Sequence, residues 1–510
     1  MQESDCVCGF IGEKSSKRSS RRYDQSSFHR GDAPLPDLIR HVQPRLQFVP
    51  PRYNPLVLKL VHAVLPLLLR VRTRPWLTAG IQQVEVSQGE TLAELFHQSQ
   101  QGKIRLLIAF RHVEVDDPLC GLQLLSRLIP QVARQQNISL KMPLHAHFVY
   151  ERGMSLWAGK WLNSLFSRMG GIPVRRGRKP DWASLRVARD LLVNGELPLA
   201  IAPEGATNGY SERLGPLEPG GAQLGFWCVE DLQKANRPES VVIVPVGIRY
   251  RYVDEPWEAL NELLSELEQS CGLSPLPQEL SEPLSAHDPM LYEYPRLLRL
   301  GEHLIELMEG VYSRFYHRSF PHVGDRPQLT PASQKEQARQ LVQRLERLLD
   351  TALCVAEEHF GLAPSGNAVD RCRRVEEAGW TYVYRDDLER RNDLPPIERG
   401  LADWIAQEAS LKVLHMRLAE SFVAVSDDYI AEQPSVERFS ETALLMFDLT
   451  ARLRGDKLPK RPRLGDRWVQ MSVGNPLNVS DRWTDYKTSR RQAVAALTEE
   501  MRKELERLMQ

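Results

Sequence analysis

The sequence predicts an α/β fold carrying a large, mainly helical insertion, and three observations predict it. Between Ile104 and Tyr250, short apolar runs of strand type alternate with longer stretches of helical period. From residue 255 to 465 the strand patterns fade, and helical stretches joined by Pro-rich loops take their place. At Trp468–Val479, WVQMSVGNPLNV, a strand pattern returns. That order predicts an α/β domain over 76–254 that resumes at 466–510, with 255–465 inserted between its two parts.

Taken in chain order, residues 1–35 are rich in Ser, Arg, Lys and Asp and hold no apolar core of the kind a secretory signal needs. They read as a disordered polar tail. Residues 53–75 contain an apolar run from Leu56 to Leu69, broken by Lys59, His62 and Pro66 and followed by Arg70, Arg72 and Arg74. At helical rise the run is roughly 20 Å long, against a hydrocarbon core of roughly 30 Å, so it should not span a bilayer. An interfacial amphipathic helix, with its arginines at anionic headgroups, competes with a helix packed on the protein's own core. Strands are predicted at Ile104–Phe110, His145–Tyr150, Leu197–Ala202 and Val241–Tyr250, and helices at Pro118–Arg134, Trp157–Met169 and Trp182–Val193. Trp157 and Trp161 stand four apart, a spacing that favours core packing over an interfacial role.

Within the insertion, Ser333–Phe360 is the clearest helix: Leu341, Leu345, Leu348, Ala352 and Val355 recur at helical intervals, and Ser333 with Glu336 forms a capping box. Charge runs such as DDLERR at 386–391 read as solvated faces. After the returning strand, Val494, Leu497, Met501, Leu505 and Leu508 mark one side of a last helix.

Composition sets limits on function. The chain has 510 residues, 42% hydrophobic, with 66 basic and 66 acidic side chains, so it can bury more than one core and its zero net charge gives no support to nucleic-acid binding. Its seven cysteines, Cys6, Cys8, Cys120, Cys228, Cys271, Cys354 and Cys372, are scattered without zinc spacing or a disulfide framework, which fits a reducing compartment.

Two strings carry the chemistry. RHVEVDD at 111–117 follows the first strand and sets His112 and Asp117 in H-x-x-x-x-D spacing. Imidazole suits general-base work near neutral pH, and a neighbouring carboxylate fixes its tautomer and favours the charged form. The plainer reading makes Asp117 an N-cap before Pro118 and His112 a structural residue. PEGATNG at 203–209 follows a second strand, and its plainer reading is a turn whose Gly205 supplies an unusual backbone angle and whose Glu204 is simply exposed.

These strings belong to four blocks in order: H-x-x-x-x-D at His112–Asp117, GGIPVRRG at 170–177, APEGATNG at 202–209 and IVPVGIRY at 243–250. In this the chain resembles the glycerolipid acyltransferase family typified by lysophosphatidic acid acyltransferase. The resemblance implies an acyltransferase domain with a mixed sheet flanked by helices, at the cytoplasmic face of a membrane. It further implies fatty acyl transfer from a thioester of coenzyme A or acyl carrier protein to a hydroxyl of a glycerol phosphate lipid, with no further cofactor. His112 would be the general base, Asp117 its orienting carboxylate and Arg176 the holder of the acceptor phosphate, while Glu204, Gly205, Thr207 and Asn208 would line the acceptor side. The strand pattern at 468–479 ends in Gly-x-Pro at Gly474–Pro476 and resembles the Val-x-x-Gly-x-Pro segment that closes the family's catalytic domain.

The departures bear on the acceptor. Arg111 stands where the family often has Asn, and the common Glu-Gly-Thr-Arg becomes Glu204-Gly205-Ala206-Thr207, removing a basic residue that Arg213 could replace. Glycerol 3-phosphate or another lysophospholipid is therefore an alternative acceptor, and a catalytically silent lipid- or protein-binding family member is the alternative from another class. A serine hydrolase is disfavoured, since no G-x-S-x-G elbow occurs.

Overall fold

The computed structural model describes residues 41–74, 77–154, 158–159, 161–175, 181–274, 289–321, 331–420, 422, 429–456 and 460–509. The polar tail with Cys6 and Cys8, Trp157 and Arg176 lie outside the described residues.

Ten strands are described: β1 (Gln43–Pro44), β2 (Ile81–Ser87), β3 (Ile104–Phe110), β4 (His147–Glu151), β5 (Gly171–Val174), β6 (Leu199–Ile201), β7 (Ser240–Tyr252), β8 (Tyr384–Arg385), β9 (Arg467–Val473) and β10 (Leu477–Asn478). Eight of them make one mixed sheet in the order β2-β9-β7-β3-β6-β4-β5, with β10 beside β7. The five strands from β7 to β5 run parallel, with Phe110 opposite Val246 and Ala109 opposite Ile201, whereas β9 is antiparallel to β7 and parallel to β2. The fold is thus α/β, a mixed sheet flanked by helices.

The central strand β3 is apolar along its length because both of its faces are covered. Leu106 and Ile108 pack with Phe96, Leu124 and Ile129 on one face, and Leu107 and Ala109 pack with Leu192, Phe226 and Leu497 on the other. Residues 467–473 enter this sheet between β2 and β7, and the helix Arg490–Arg507 sets Leu497, Met501 and Leu505 onto the second face. Residues 255–465 therefore leave and rejoin one sheet. They are mainly helical, with long helices at Pro289–Tyr316, Pro331–His359 and Pro396–Glu420, and they have their own core around Leu264, Leu304, Leu348 and Phe439.

Several boundaries differ from expectation for local reasons. The helix expected at 118–134 runs as Asp117–Gln123 and Ile129–Gln135 joined by a π turn at Leu124–Leu128. β2 escaped the sequence pattern because IQQVEVS buries only Ile81 and Val84, as an edge strand needs only a partly apolar face. Trp161 is a correction: it is 47% exposed, with the Arg74 guanidinium 5.2 Å from its ring, and not part of the core.

The apolar run near the N-terminus forms the helix Pro55–Arg70, capped by Asn54, whose side chain accepts from Leu56 N at 2.9 Å. Leu65 and Leu69 pack into the core beneath the sheet, and Leu58 is also buried. The opposite side leaves Leu56, Leu60 and Leu67 at 72%, 66% and 56% exposure. The core-packed reading thus describes the face that carries Leu58, Leu65 and Leu69, and the opposite face is exposed and apolar. Among the described residues no helix is long and apolar enough to cross a membrane.

Candidate functional site

The site lies where the parallel strands end. His112 follows β3, Glu204 follows β6 and Arg175 follows β5, so all three stand at the carboxyl edge of the sheet, where α/β sheets open their crevices. Arg111 N still donates to Val246 O at 2.9 Å, so the ladder with β7 holds the chain to within one residue of His112.

The next turn is built by Asp117. Its Oδ2 accepts from Val113 N at 2.5 Å, Glu114 N at 2.9 Å and His112 Nδ1 at 3.0 Å, and its Oδ1 accepts from the Tyr250 hydroxyl at 2.5 Å. Four donors on one buried carboxylate fix both the loop and the ring. The cap position of the following helix falls to Asp116, which makes no capping bond, while Asp117 sits at the first helical residue with its carboxylate turned back to His112. This corrects the simple N-cap reading.

A carboxylate can only accept, so His112 Nδ1 carries the proton and Nε2 presents its lone pair. The His112 side chain is 24% exposed, and Nε2 has no hydrogen-bond partner among the described residues. The ring is braced at Nδ1 and open at Nε2, the arrangement a general base requires.

Behind this pair lies a buried polar layer that sequence reasoning did not assign. Arg467, the first residue of β9, donates to Glu114 Oε2 at 2.9 Å, lies 3.7 Å from Asp116 and stacks its guanidinium 4.6 Å from the Tyr250 ring. Burial would raise the Glu114 carboxyl, but Arg467 and Arg461 beside it lower it overall. Asp116, fully buried, is pushed up to about 6 by burial and by Glu114, even though its Oδ2 accepts from Thr78 N and Ala79 N. Burial likewise pushes the Tyr250 hydroxyl well up, so it stays protonated and remains a donor to Asp117.

Glu204 is buried, not exposed as the plainer reading held. Its Oε1 accepts from His112 N at 3.1 Å, and its Oε2 accepts from Gly215 N at 2.7 Å and Asn208 Nδ2 at 2.9 Å. Burial raises its pKa, with Arg111 opposing. Asn208 is also turned inward, donating to Arg213 O at 2.6 Å and accepting from Tyr210 N at 3.0 Å. Gly205 has φ +72°, a left-handed backbone conformation that favours glycine. Thr207 is exposed. The structure thus brings Glu204 to the backbone of His112, sets Asn208 into the same loop and leaves Thr207 at the surface; Arg176 falls outside the described residues.

Arg111 takes a structural place. Fully buried, it donates to the carbonyls of Tyr210, Ser211 and Arg213 and sits 3.7 Å from Glu204, clamping the loop 209–215 against His112; burial lowers its pKa. The insertion and β7 hold the outer side of that loop: Glu441 of the insertion accepts from Ser211 N at 3.0 Å, and Arg438 of the insertion and Arg249 of β7 both grip Glu212. The sequence offered one trace of this layer, the tyrosine that ends IVPVGIRY, but no pattern links residue 250 or 467 to residue 117.

Fold and site together define an α/β protein with a hydrogen-bonded His112–Asp117 pair at the carboxyl edge of a mixed sheet. No protein-family model, curated protein or solved structure matches the chain. No group of His, Cys, Asp and Glu suited to a metal ion occurs among the described residues.

Proposed function

We propose that this protein is an acyltransferase that moves a fatty acyl group from a thioester of coenzyme A or acyl carrier protein to a hydroxyl of lysophosphatidic acid or a related glycerol phosphate lipid. The carrying observation is His112: Nδ1 held by Asp117 at 3.0 Å and Nε2 open at the carboxyl edge of the sheet. Nε2 takes the proton of the acceptor hydroxyl as its oxygen attacks the thioester carbonyl, and Asp117 stabilises the imidazolium. When the C–S bond breaks, the imidazolium returns the proton to the departing thiolate. The enzyme is regenerated without a covalent intermediate.

Arg176 is assigned to the acceptor phosphate by the four-block resemblance, and the position of Arg175, just after β5 at the same edge of the sheet as His112, supports that assignment. Glu204 and Gly205 act in this reading by shaping the turn against His112, while Thr207 faces the solvent side where an acceptor headgroup would lie. The exposed leucines of the helix Pro55–Arg70, with half-exposed Trp161 and its neighbour Arg74, support a peripheral seat on a membrane. The test is transfer from labelled acyl thioesters to glycerol 3-phosphate, lysophosphatidic acid and other lysophospholipids, with His112→Ala beside the wild type. A preferred acceptor whose product disappears with the mutant supports the reading; no transfer with any donor refutes it.

A further inference from the structure

We infer that the cleft between the insertion and the end of β5 is a binding site for a single-chain anionic amphiphile, a fatty acid or a lysolipid with an anionic head. The cleft has a volume of about 450 Å³ and is walled by Thr381, Tyr382, Tyr384, Ala402 and Ile405, with Arg175 at the end of β5 on its inner side. That size falls within the range of small-ligand sites, and its rim adds Arg385, Asp386 and Asp387 to the apolar surface that Tyr382, Tyr384, Ala402 and Ile405 supply.

The charges around it are unevenly spent. Arg385 is paired with Asp387 and Asp386 with Arg45, whereas the Arg175 guanidinium makes no ion pair among the described residues. Among the described residues the cleft therefore carries one cation, Arg175, without an ion pair, while its other charges are spent on one another and on Arg45. Its outer lip continues along the helix Pro396–Glu420 as an exposed ridge: Ile397 is 81%, Leu401 51%, Trp404 67% and Ile405 49% exposed. The other side of that helix explains why the ridge faces out. Ala402, Ala406 and Ala409 pack closely on Trp380 and Val383, and the alanines leave the larger apolar side chains of neighbouring positions unpartnered.

An anionic head on Arg175 with a chain along Tyr382, Ala402 and Ile405 satisfies both features at once. A free phosphate would leave the wall unused, and an uncharged lipid would leave the cation unused. The place also matters. β3 and β5 are three strand spacings apart, ~14 Å, along the same edge of the sheet. A lipid held in this cleft waits beside His112 without blocking it. The step from a binding site to a waiting acceptor rests on the acyltransferase reading; the binding site does not.

The experiment is calorimetric titration of the full chain with lauroyl lysophosphatidate, laurate, lauroyl lysophosphatidylcholine and glycerol 3-phosphate, each below its micelle concentration. Saturable binding of either anionic amphiphile, with the zwitterionic lipid weaker and glycerol 3-phosphate weaker still, is expected. Lysophosphatidate alone would mark the acceptor lipid as the source, and laurate alone a free acid. Arg175→Gln should weaken binding about 10- to 100-fold, the scale of a charged hydrogen bond. Ile405→Asp, at a half-exposed position where the fold should survive, should cost at least about 10-fold. His112→Ala should bind as the wild type does. No saturable binding by the wild type, equal binding by both cleft variants, binding lost with His112→Ala, or glycerol 3-phosphate binding as tightly as the amphiphiles would each overturn the inference. Acyl transfer by the same preparations separates the two readings. Intact binding without transfer would leave the cleft and remove the acyltransferase; intact transfer with cleft variants that bind normally would do the reverse.

Discussion

Replacing Asp117 with Asn tests the base pair with little change of shape. Three donors, Val113 N, Glu114 N and His112 Nδ1, converge on Oδ2, so the amide must place its oxygen there and its NH2 toward the Tyr250 hydroxyl. The ring therefore keeps its tautomer, and only the carboxylate charge is lost. At the observed 3.0 Å, attraction between imidazolium and carboxylate is about 5 kcal/mol at an effective dielectric of about 20. The amide dipole restores part of this, leaving about 3–4 kcal/mol, or about 10²- to 10³-fold in kcat/KM. Steady-state acyl transfer with the preferred acceptor is the assay, beside His112→Ala and the double mutant. Because the two residues act as one unit, the double mutant should be no slower than His112→Ala. A kcat/KM for Asp117→Asn within about threefold of the wild type, in folded protein, would refute the argument that the carboxylate stabilises a charged imidazole.

Three further outcomes are expected. Tyr250→Phe removes the hydroxyl on Asp117 Oδ1 inside a fully buried layer, so it should destabilise the fold by about 1.5–3 kcal/mol and lower the thermal midpoint, while a change of kcat without a change of thioester KM would show that it acts through Asp117. Asp116 is raised from 3.8 to about 6, so the folded state binds its proton more tightly than the unfolded state does; that stabilisation is complete below pH 3.8 and lost as pH rises through about 6. Asp116→Asn keeps an acceptor for Thr78 N and Ala79 N without the charge, so the mutant should gain on the wild type between pH 4 and 6, by up to about 3 kcal/mol above pH 7, as read by melting temperature across pH. Replacing Leu56, Leu60 and Leu67 together by Ser leaves buried Leu58, Leu65 and Leu69 in place and should weaken flotation with anionic vesicles at least about 100-fold; unchanged flotation would move the membrane contact elsewhere.

Much of the frame was legible because its causes are local. The strand Ile104–Phe110 was read with its exact ends, since a strand buried on both faces is written as an unbroken apolar run. The close spacing of His112 and Asp117 spans a single turn, so their pairing could be expected from five residues of sequence. The return of strand pattern near Trp468 was also visible, because β9 alternates buried and half-buried residues along its length. The edge strands β2 and β5 were missed: partial burial of one, and the brevity and Gly-Pro content of the other, weaken the apolar pattern that marks a strand.

What sequence determined by itself was therefore the α/β class, the return of a strand near Trp468 and the contact of His112 with Asp117, all of them products of periodicity or short-range spacing. Only the tertiary structure decided what surrounds that pair. Arg467 reaches Glu114 across 353 positions, Tyr250 reaches Asp117 across 133, and Glu441 reaches Ser211 across 230. A lone charged or hydroxyl residue carries no periodicity, and its partner is set by which strands neighbour in the sheet. The same holds for Glu204, which a turn motif presents as exposed and the sheet edge buries under His112. Burial and long-range pairing are properties of the assembled layers, and they decide both the protonation of Asp116 and the openness of His112 Nε2.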